Sequence, residues 1–294
     1  MTHLSPQEQK NIVIRCEARF EADLDAVAAA VVATQGLRTL SITGPTCAGK
    51  TTTANKVIDA LQRHGRRVQV VSIDDFYRNR ACIEDGIEPE DVDFETIAAI
   101  DLAYLTECVE KILAGSLVRL PKYKFATGSR VGYEEYVPAR GDIILFEGIQ
   151  AIYPEVTALF PQDNVSIFIN TRRNIRVGET TFEPREIRLI RRLVRDRYFR
   201  DATPEFSFFL WDKVVANEDT SILPYAEGCT HIIDSAMEYE PGMMRPHLER
   251  VLAAVPQDSK YYPKTAEILA KIATVQSISC EYLPEKSVYR EFLG

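Results

Sequence analysis

Residues 44–51 read Gly-Pro-Thr-Cys-Ala-Gly-Lys-Thr, the pattern G-x-x-x-x-G-K-[ST], and they join an apolar run to a helical one. Leu37 to Thr43 is a short β-rich run, whereas Lys50 to Arg63 carries Val57, Ile58 and Leu61 at helical spacing. A strand, a glycine-rich turn and a helix in that order bring backbone amides and a helix N-terminus to one spot, where an anion is favoured. The motif therefore predicts a phosphate cradle for a nucleoside triphosphate, made by Gly44, Pro45, Thr46, Cys47, Ala48, Gly49, Lys50, Thr51 and Thr52. Lys50 would reach the β- and γ-phosphates, and the Thr51 hydroxyl would ligate Mg²⁺. Cys47 reads as a small side chain filling a loop position, since no second cysteine lies near it.

Further apolar β-rich runs at 68–73, 142–147, 165–169 and 230–234 alternate with segments of helical periodicity. That alternation predicts an α/β chain built on a mostly parallel sheet flanked by helices. The connection between the second and third runs is long: an acidic stretch from Glu84 to Glu95, a helix from about Ile97 to Leu113, and a Tyr-, Gly- and charge-rich segment from Pro121 to Arg140. Long connections of this kind are usually binding loops. The organisation expected is an N-terminal helical extension over 1–36, a core over 37–240 with acceptor loops at 74–140 and a lid at about 172–203, and a C-terminal helical extension over 241–294 packed on the core.

Three segments carry chemistry. Val70 to Ile73 runs directly into Asp74 and Asp75, and a carboxylate beyond the end of a strand can take the proton of an attacking hydroxyl. Either aspartate could equally cap a helix, and the residues alone do not separate the two. Asp142 to Glu147 is an apolar strand ending in an acidic residue that would hold a metal or its water shell. Between Arg185 and Arg200 there are seven arginines in sixteen residues. Arg188, Arg192 and Arg195 recur along one face over an apolar stripe of Ile187, Ile190, Leu193 and Val194, which suits either a solvated amphipathic face or a lid that brings arginines to a phosphoryl group.

Together these motifs resemble the uridine kinase and phosphoribulokinase group of P-loop kinases. The resemblance rests on residues 44–51, S-I-D-D-F-Y at 72–77, D-F-E at 93–95 with A-I-D at 99–101, L-P-K-Y-K-F-A-T-G-S-R at 120–130, F-E-G-I at 146–149 and R-L-I-R-R-L-V-R-D at 188–196. The branch it is most similar to is bacterial and carries a threonyl-tRNA-synthetase-like N-terminal region, which is not expected here because only some 37 residues precede the first strand. The resemblance implies a P-loop NTPase fold with an Arg-rich helical lid. It implies Asp74 as the base, with Lys50, Arg192 and Arg195 as the other catalytic groups. The acceptor would be bound by Asp74, Tyr77, Phe94, Glu95, Tyr123, Phe125 and Arg192, while Arg195 and Arg200 face the triphosphate. Thr51, Glu147 and Asp74 would serve the metal. Without the family, Tyr123 and Phe125 read as core or cross-strand aromatics. Pyrimidine nucleoside kinases read the base with a histidine and an arginine where this chain has Gly128 and Ala202, so the base is the weakest inference.

The expectation is an ATP- and Mg²⁺-dependent kinase that phosphorylates a primary hydroxyl, with a nucleoside 5′-hydroxyl preferred over a sugar, sugar phosphate or pantothenate-like alcohol. A nucleotide-dependent switch or binding module is the rival from another class. The net charge of −8 disfavours a nucleic-acid polymer or an anionic membrane as partner. Six scattered cysteines without a C-x-x-C pair and a polar N-terminus suit the cytoplasm, and self-association is left open.

Overall fold

The computed structural model describes residues 4–85 and 93–293 and opens on a long helix, α1 (Pro6–Ala33). Ser5 caps it: the Ser5 hydroxyl accepts from the Glu8 amide while the Glu8 carboxylate accepts from the Ser5 amide, and Pro6 starts the first turn. Strand β1 (Thr39–Thr43), buried throughout, feeds the glycine loop and α2 (Lys50–Arg63). Strand β2 (Val68–Ser72) passes into a 3₁₀ turn at Ile73–Phe76, then α3 (Arg80–Glu84). The helix expected from Ile97 starts later. Ile97–Ala99 is a separate 3₁₀ turn, and Asp101 begins α4 (Leu102–Leu113) afresh by accepting from the Tyr104 amide.

The Tyr-rich connection after α4 is an antiparallel hairpin, β3 (Val118–Lys124) with β4 (Ser129–Tyr136). Next come β5 (Ile143–Glu147), α5 (Pro154–Thr157), β6 (Val165–Asn170) and a small hairpin of β7 (Ile175–Val177) and β8 (Thr180–Phe182). The arginine-rich segment is α6 (Pro184–Phe199). It is followed by α7 (Pro204–Asn217), a π-helical turn at Glu218–Ile222, α8 (Leu223–Ala226) and β9 (His231–Asp234). The chain then finishes with α9 (Glu240–Leu252), α10 (Tyr262–Ala273) and the short α11 (Arg290–Leu293).

Five strands form one parallel sheet in the order β2-β5-β1-β6-β9. Two consequences of this order place the site. The glycine loop leaves the central strand, and the register that pairs Ser72 with Glu147 makes the acidic ends of β2 and β5 neighbours beside it. Helices cover both faces, as a buried parallel sheet requires. On one face α1 packs on α2 through Val13, Phe20, Leu24, Ala28 and Val31, and this core continues into α6, α9 and the segment 287–292. The other face carries α4, β3 and residues 151–160. None of the helices is long and apolar enough to cross a membrane, and no disulfide forms among the described residues.

Helix α9 touches the 276–278 segment closely at Gly242. A Cβ there would stand 2.6 Å from the Gln276 carbonyl oxygen and 3.0 Å from Ile278 Cγ1, so the backbone itself must move. We predict that Gly242→Ala destabilises the fold by about 1–3 kcal/mol, measured as a lower urea midpoint at unchanged m-value.

Candidate active site

The glycine loop is held from behind. Thr46, Cys47 and Ala48 are buried, and Cys47 has φ +58°, a left-handed conformation that costs a non-glycine residue energy. The Cys47 carbonyl accepts from Arg191 Nη1 at 3.0 Å, which fixes that peptide, and Arg188 Nη1 lies 3.4 Å from the Thr46 carbonyl. Gly49 has φ +98° as the residue before α2. Lys50 Nζ reaches back over the loop to the Gly44 and Pro45 carbonyls at 3.0 and 3.1 Å. Thr51 is exposed in the first turn of α2, and Thr52 donates to Glu291 Oε2 at 3.3 Å.

A set of carboxylates stands opposite. Asp74 follows β2 and Glu147 ends β5, where its Oε1 accepts from Ser72 Oγ at 2.8 Å. Burial first, and then the charge of Glu147, push the Asp74 carboxyl up to about 7, with Glu95 and Asp75 adding to the rise and Lys50 opposing it. Burial likewise raises Glu95, against the pull of Arg192 and Lys50. The structure thus gathers Lys50, Asp74, Glu95, Glu147 and Arg192 into one electrostatic neighbourhood. Asp75 points elsewhere: its Oδ1 accepts from the Tyr123 amide at 2.8 Å, and Lys122 Nζ lies 3.9 Å from Oδ2. Of the two aspartates, Asp74 faces the carboxylate cluster and Asp75 pins the β3–β4 hairpin.

Surplus negative charge of this kind is what a divalent cation relieves. No group of three or more His, Cys, Asp or Glu able to hold a metal occurs among the described residues. Thr51, Glu147 and Asp74 offer oxygen atoms, the ligand type that Mg²⁺ takes.

Beside the cluster lies an aromatic wall. Tyr77, Tyr123 and Phe125 meet with ring centroids 5.2–5.8 Å apart, and Phe125 is more than half exposed. The buried Gln150 donates to the Tyr77 hydroxyl at 2.9 Å, which donates in turn to the Phe94 carbonyl at 2.8 Å. Asn217 does the same through Tyr153 to the Glu95 carbonyl, both bonds at 2.7 Å. These two chains position Phe94 and Glu95. Sequence reasoning missed Gln150, Tyr153 and Asn217, whose residue types carry no motif.

The arginine helix is enclosed. Arg188, Arg191, Arg192 and Arg195 have 1, 0, 5 and 8 % of their surface exposed, so the expected pairing of a cationic face with a separate packed face does not hold. The reason is that each guanidinium has a carboxylate partner. Arg188 is bidentate on the buried Glu218, and Arg191 on the buried Glu240. Asp196 serves Arg192 and Arg195 together with Arg200 beyond them, with Arg195 Nη2 at 2.7 Å, Arg192 Nε at 3.2 Å and Arg200 Nε at 3.7 Å. Arg200 is largely exposed at the end of the helix. Arg188 and Arg191 therefore brace the loop, while the charge of Arg192 is felt by Glu95.

We predict that the Asp74 carboxyl titrates near pH 7, followed by NMR of labelled aspartate. Glu147→Gln removes a like charge and must lower that midpoint; an unmoved midpoint would show that the two carboxylates are not coupled.

A family model described as the phosphoribulokinase / uridine kinase family matches residues 39–208. Uridine kinase-like protein 4 of Arabidopsis thaliana is 29% identical over 177 residues, 58% of this chain and 35% of that protein. Uridine-cytidine kinase A of Dictyostelium discoideum is 31% identical over 166 residues, 56% of this chain and 29% of that protein. The chain thus spans about a third of the length of these relatives. Among solved structures, that of the YGR205w protein superimposes with a TM-score of 0.50 at 15% identity, covering 75% of this chain and 89% of that one, a likeness of fold. The family match takes in the glycine loop, both aspartates, the β3–β4 hairpin, Glu147 and all of α6, which is more than half of the sequence. The chain belongs to the phosphoribulokinase / uridine kinase family.

Proposed function

We propose that the protein is a small-molecule kinase that moves the γ-phosphoryl group of ATP, with Mg²⁺, onto a primary hydroxyl, and that the preferred acceptor is the 5′-hydroxyl of a nucleoside. The observation that carries this reading is Asp74, a carboxylate raised to about 7 in the electrostatic neighbourhood of the loop lysine and of Tyr77 in the aromatic wall. A base of that strength is matched to proton transfer near neutral pH. Asp74 takes the acceptor proton as the new oxygen–phosphorus bond forms, and the bond from the γ-phosphorus to the bridging oxygen breaks to release ADP. Lys50, Arg192 and Arg195 balance the charge on the transferring group. Thr51, Glu147 and Asp74 would hold Mg²⁺, which would supply neutralisation of the phosphate charge. Phe94 and Glu95 border the acceptor sugar, with Glu95 accepting from its hydroxyls and Tyr77 beside Asp74, and Tyr123 and Phe125 offer ring faces to a base. Arg200 completes the triphosphate contacts. The six unbridged cysteines fit a reducing compartment, the cytoplasm.

A second reading keeps the mechanism and changes the acceptor, and Arg80 favours it. Gly128 has φ +61°, and a Cβ there would stand 2.7 Å from Arg80 Cβ and 3.0 Å from its Nε. The place of the base-reading histidine of nucleoside kinases is therefore backed by an arginine, whose guanidinium also lies 5.8 Å from the Phe94 ring centre. A cation there suits an acceptor bearing a phosphate or carboxylate.

ADP release measured with Mg-ATP against nucleosides, pantothenate, glycerate, sugars and sugar phosphates separates these readings. Stimulation by a nucleoside supports the first, stimulation by anionic alcohols alone supports the second, and hydrolysis that no alcohol stimulates returns the protein to the switch class. With the active acceptor, Asp74→Asn is expected to lose about 10²–10⁴-fold in kcat at nearly constant KM. Asp75→Asn, which loosens the hairpin, is expected to raise acceptor KM instead. Because the protonated carboxyl cannot accept a proton, kcat/KM should fall about tenfold per pH unit below 7 and level off above it.

A further inference from the structure

The family match ends at residue 208, yet Val288, far beyond it, is also pressed against the glycine loop. A Cβ at Gly49 would stand 2.6 Å from Val288 Cγ2, so the C-terminal segment rests directly on the second glycine of the motif. Val288, Tyr289 and Phe292 are fully buried. The Tyr289 hydroxyl accepts from Arg191 at 2.6 Å, the same guanidinium that holds the Cys47 carbonyl, and the Phe292 ring lies 5.3 Å from it. Ser287 anchors the start of the segment by donating to the buried Glu17 of α1 at 2.6 Å.

This seating brings the half-buried Glu291 to the mouth of the loop, where its Oε2 accepts from Thr52 Oγ1 at 3.3 Å. Thr52 lies in the first turn of α2, where the helix dipole draws anions. Glu291 also acts on the enclosed Arg195: burial weakens the charge of that guanidinium, and Cys47, Asp196 and Glu291 outweigh it, so Arg195 stays firmly cationic. A hydroxyl donor at a helix N-terminus thus meets a carboxylate whose charge is also felt by a nearby arginine. A phosphate seeking the same three partners meets a like charge, and two such anions do not share a site without cost.

We propose that Glu291 is a donor-site residue that holds the Thr52 hydroxyl in the phosphate's stead and gives way when a nucleoside triphosphate binds, so that the C-terminal segment sets donor affinity. The inference rests on the triphosphate-binding reading above. Its test is titration of the full chain with a fluorescent ATP analogue and Mg²⁺, in wild type, Glu291→Gln and Lys50→Ala. Glu291→Gln keeps shape and hydrogen bonding while removing the charge, and it is expected to tighten donor binding about 3–10-fold with acceptor KM unchanged. Glu291→Ala, which also removes the hydrogen bond, is expected to tighten it as well. Unchanged or weaker donor binding in both variants, with wild type binding normally, overturns the role of Glu291 alone. Absence of binding in wild type and all variants overturns the triphosphate reading and this inference together. A merely structural role for Glu291 would lower the melting temperature and weaken binding, the opposite of the expected sign.

Discussion

The buried guanidinium of Arg191 is the contact on which the arrangement turns. It sits at zero exposure, paired with Glu240, bonded to the Ser235 carbonyl and hydroxyl and to Tyr289, and it also donates to the Cys47 carbonyl. A buried charge is tolerated only when its partners satisfy it, and removing one partner of such a pair costs about 3–5 kcal/mol because the other is stranded. The same group therefore fixes α6 against α9, ties in the C-terminal segment and braces a left-handed peptide in the loop. The loop's geometry is a property of the whole face of the sheet on which these helices pack.

On the other side of the cleft the economy is reversed. Asp74, Glu95 and Glu147 are gathered without the carboxylate-for-arginine matching that quiets α6, and Asp74 in particular is left with a proton affinity far from that of a free aspartate. Such a cluster works against folding and persists because β2 and β5 are locked in register behind it and the Gln150–Tyr77 and Asn217–Tyr153 chains hold its rim. Strain of this kind concentrates where groups must act on something else.

The sheet was legible because its strands are apolar runs punctuated by loops, and the loop because a glycine–lysine pattern has few meanings outside phosphate binding. The β3–β4 hairpin was not, since much of β4 is exposed and the hairpin is tied to the rest of the fold by Asp75 reaching across to Tyr123, a contact no periodicity announces. The arginines of α6 were visible as a cluster but not as individuals. Whether a guanidinium meets a ligand or a carboxylate depends on Glu218 and Glu240, which lie 30 and 49 residues away along the chain. Asp74 and Asp75 are equivalent as letters and become distinct only when one faces the cluster and the other the hairpin.

The grip on Cys47 also orders events in time. Arg191 is 144 residues beyond the peptide it holds, and Tyr289 is a further 98 beyond Arg191. On the ribosome the loop and its strand therefore emerge long before the side chains that shape them. Until residue 289 has left the exit tunnel the loop lacks that brace.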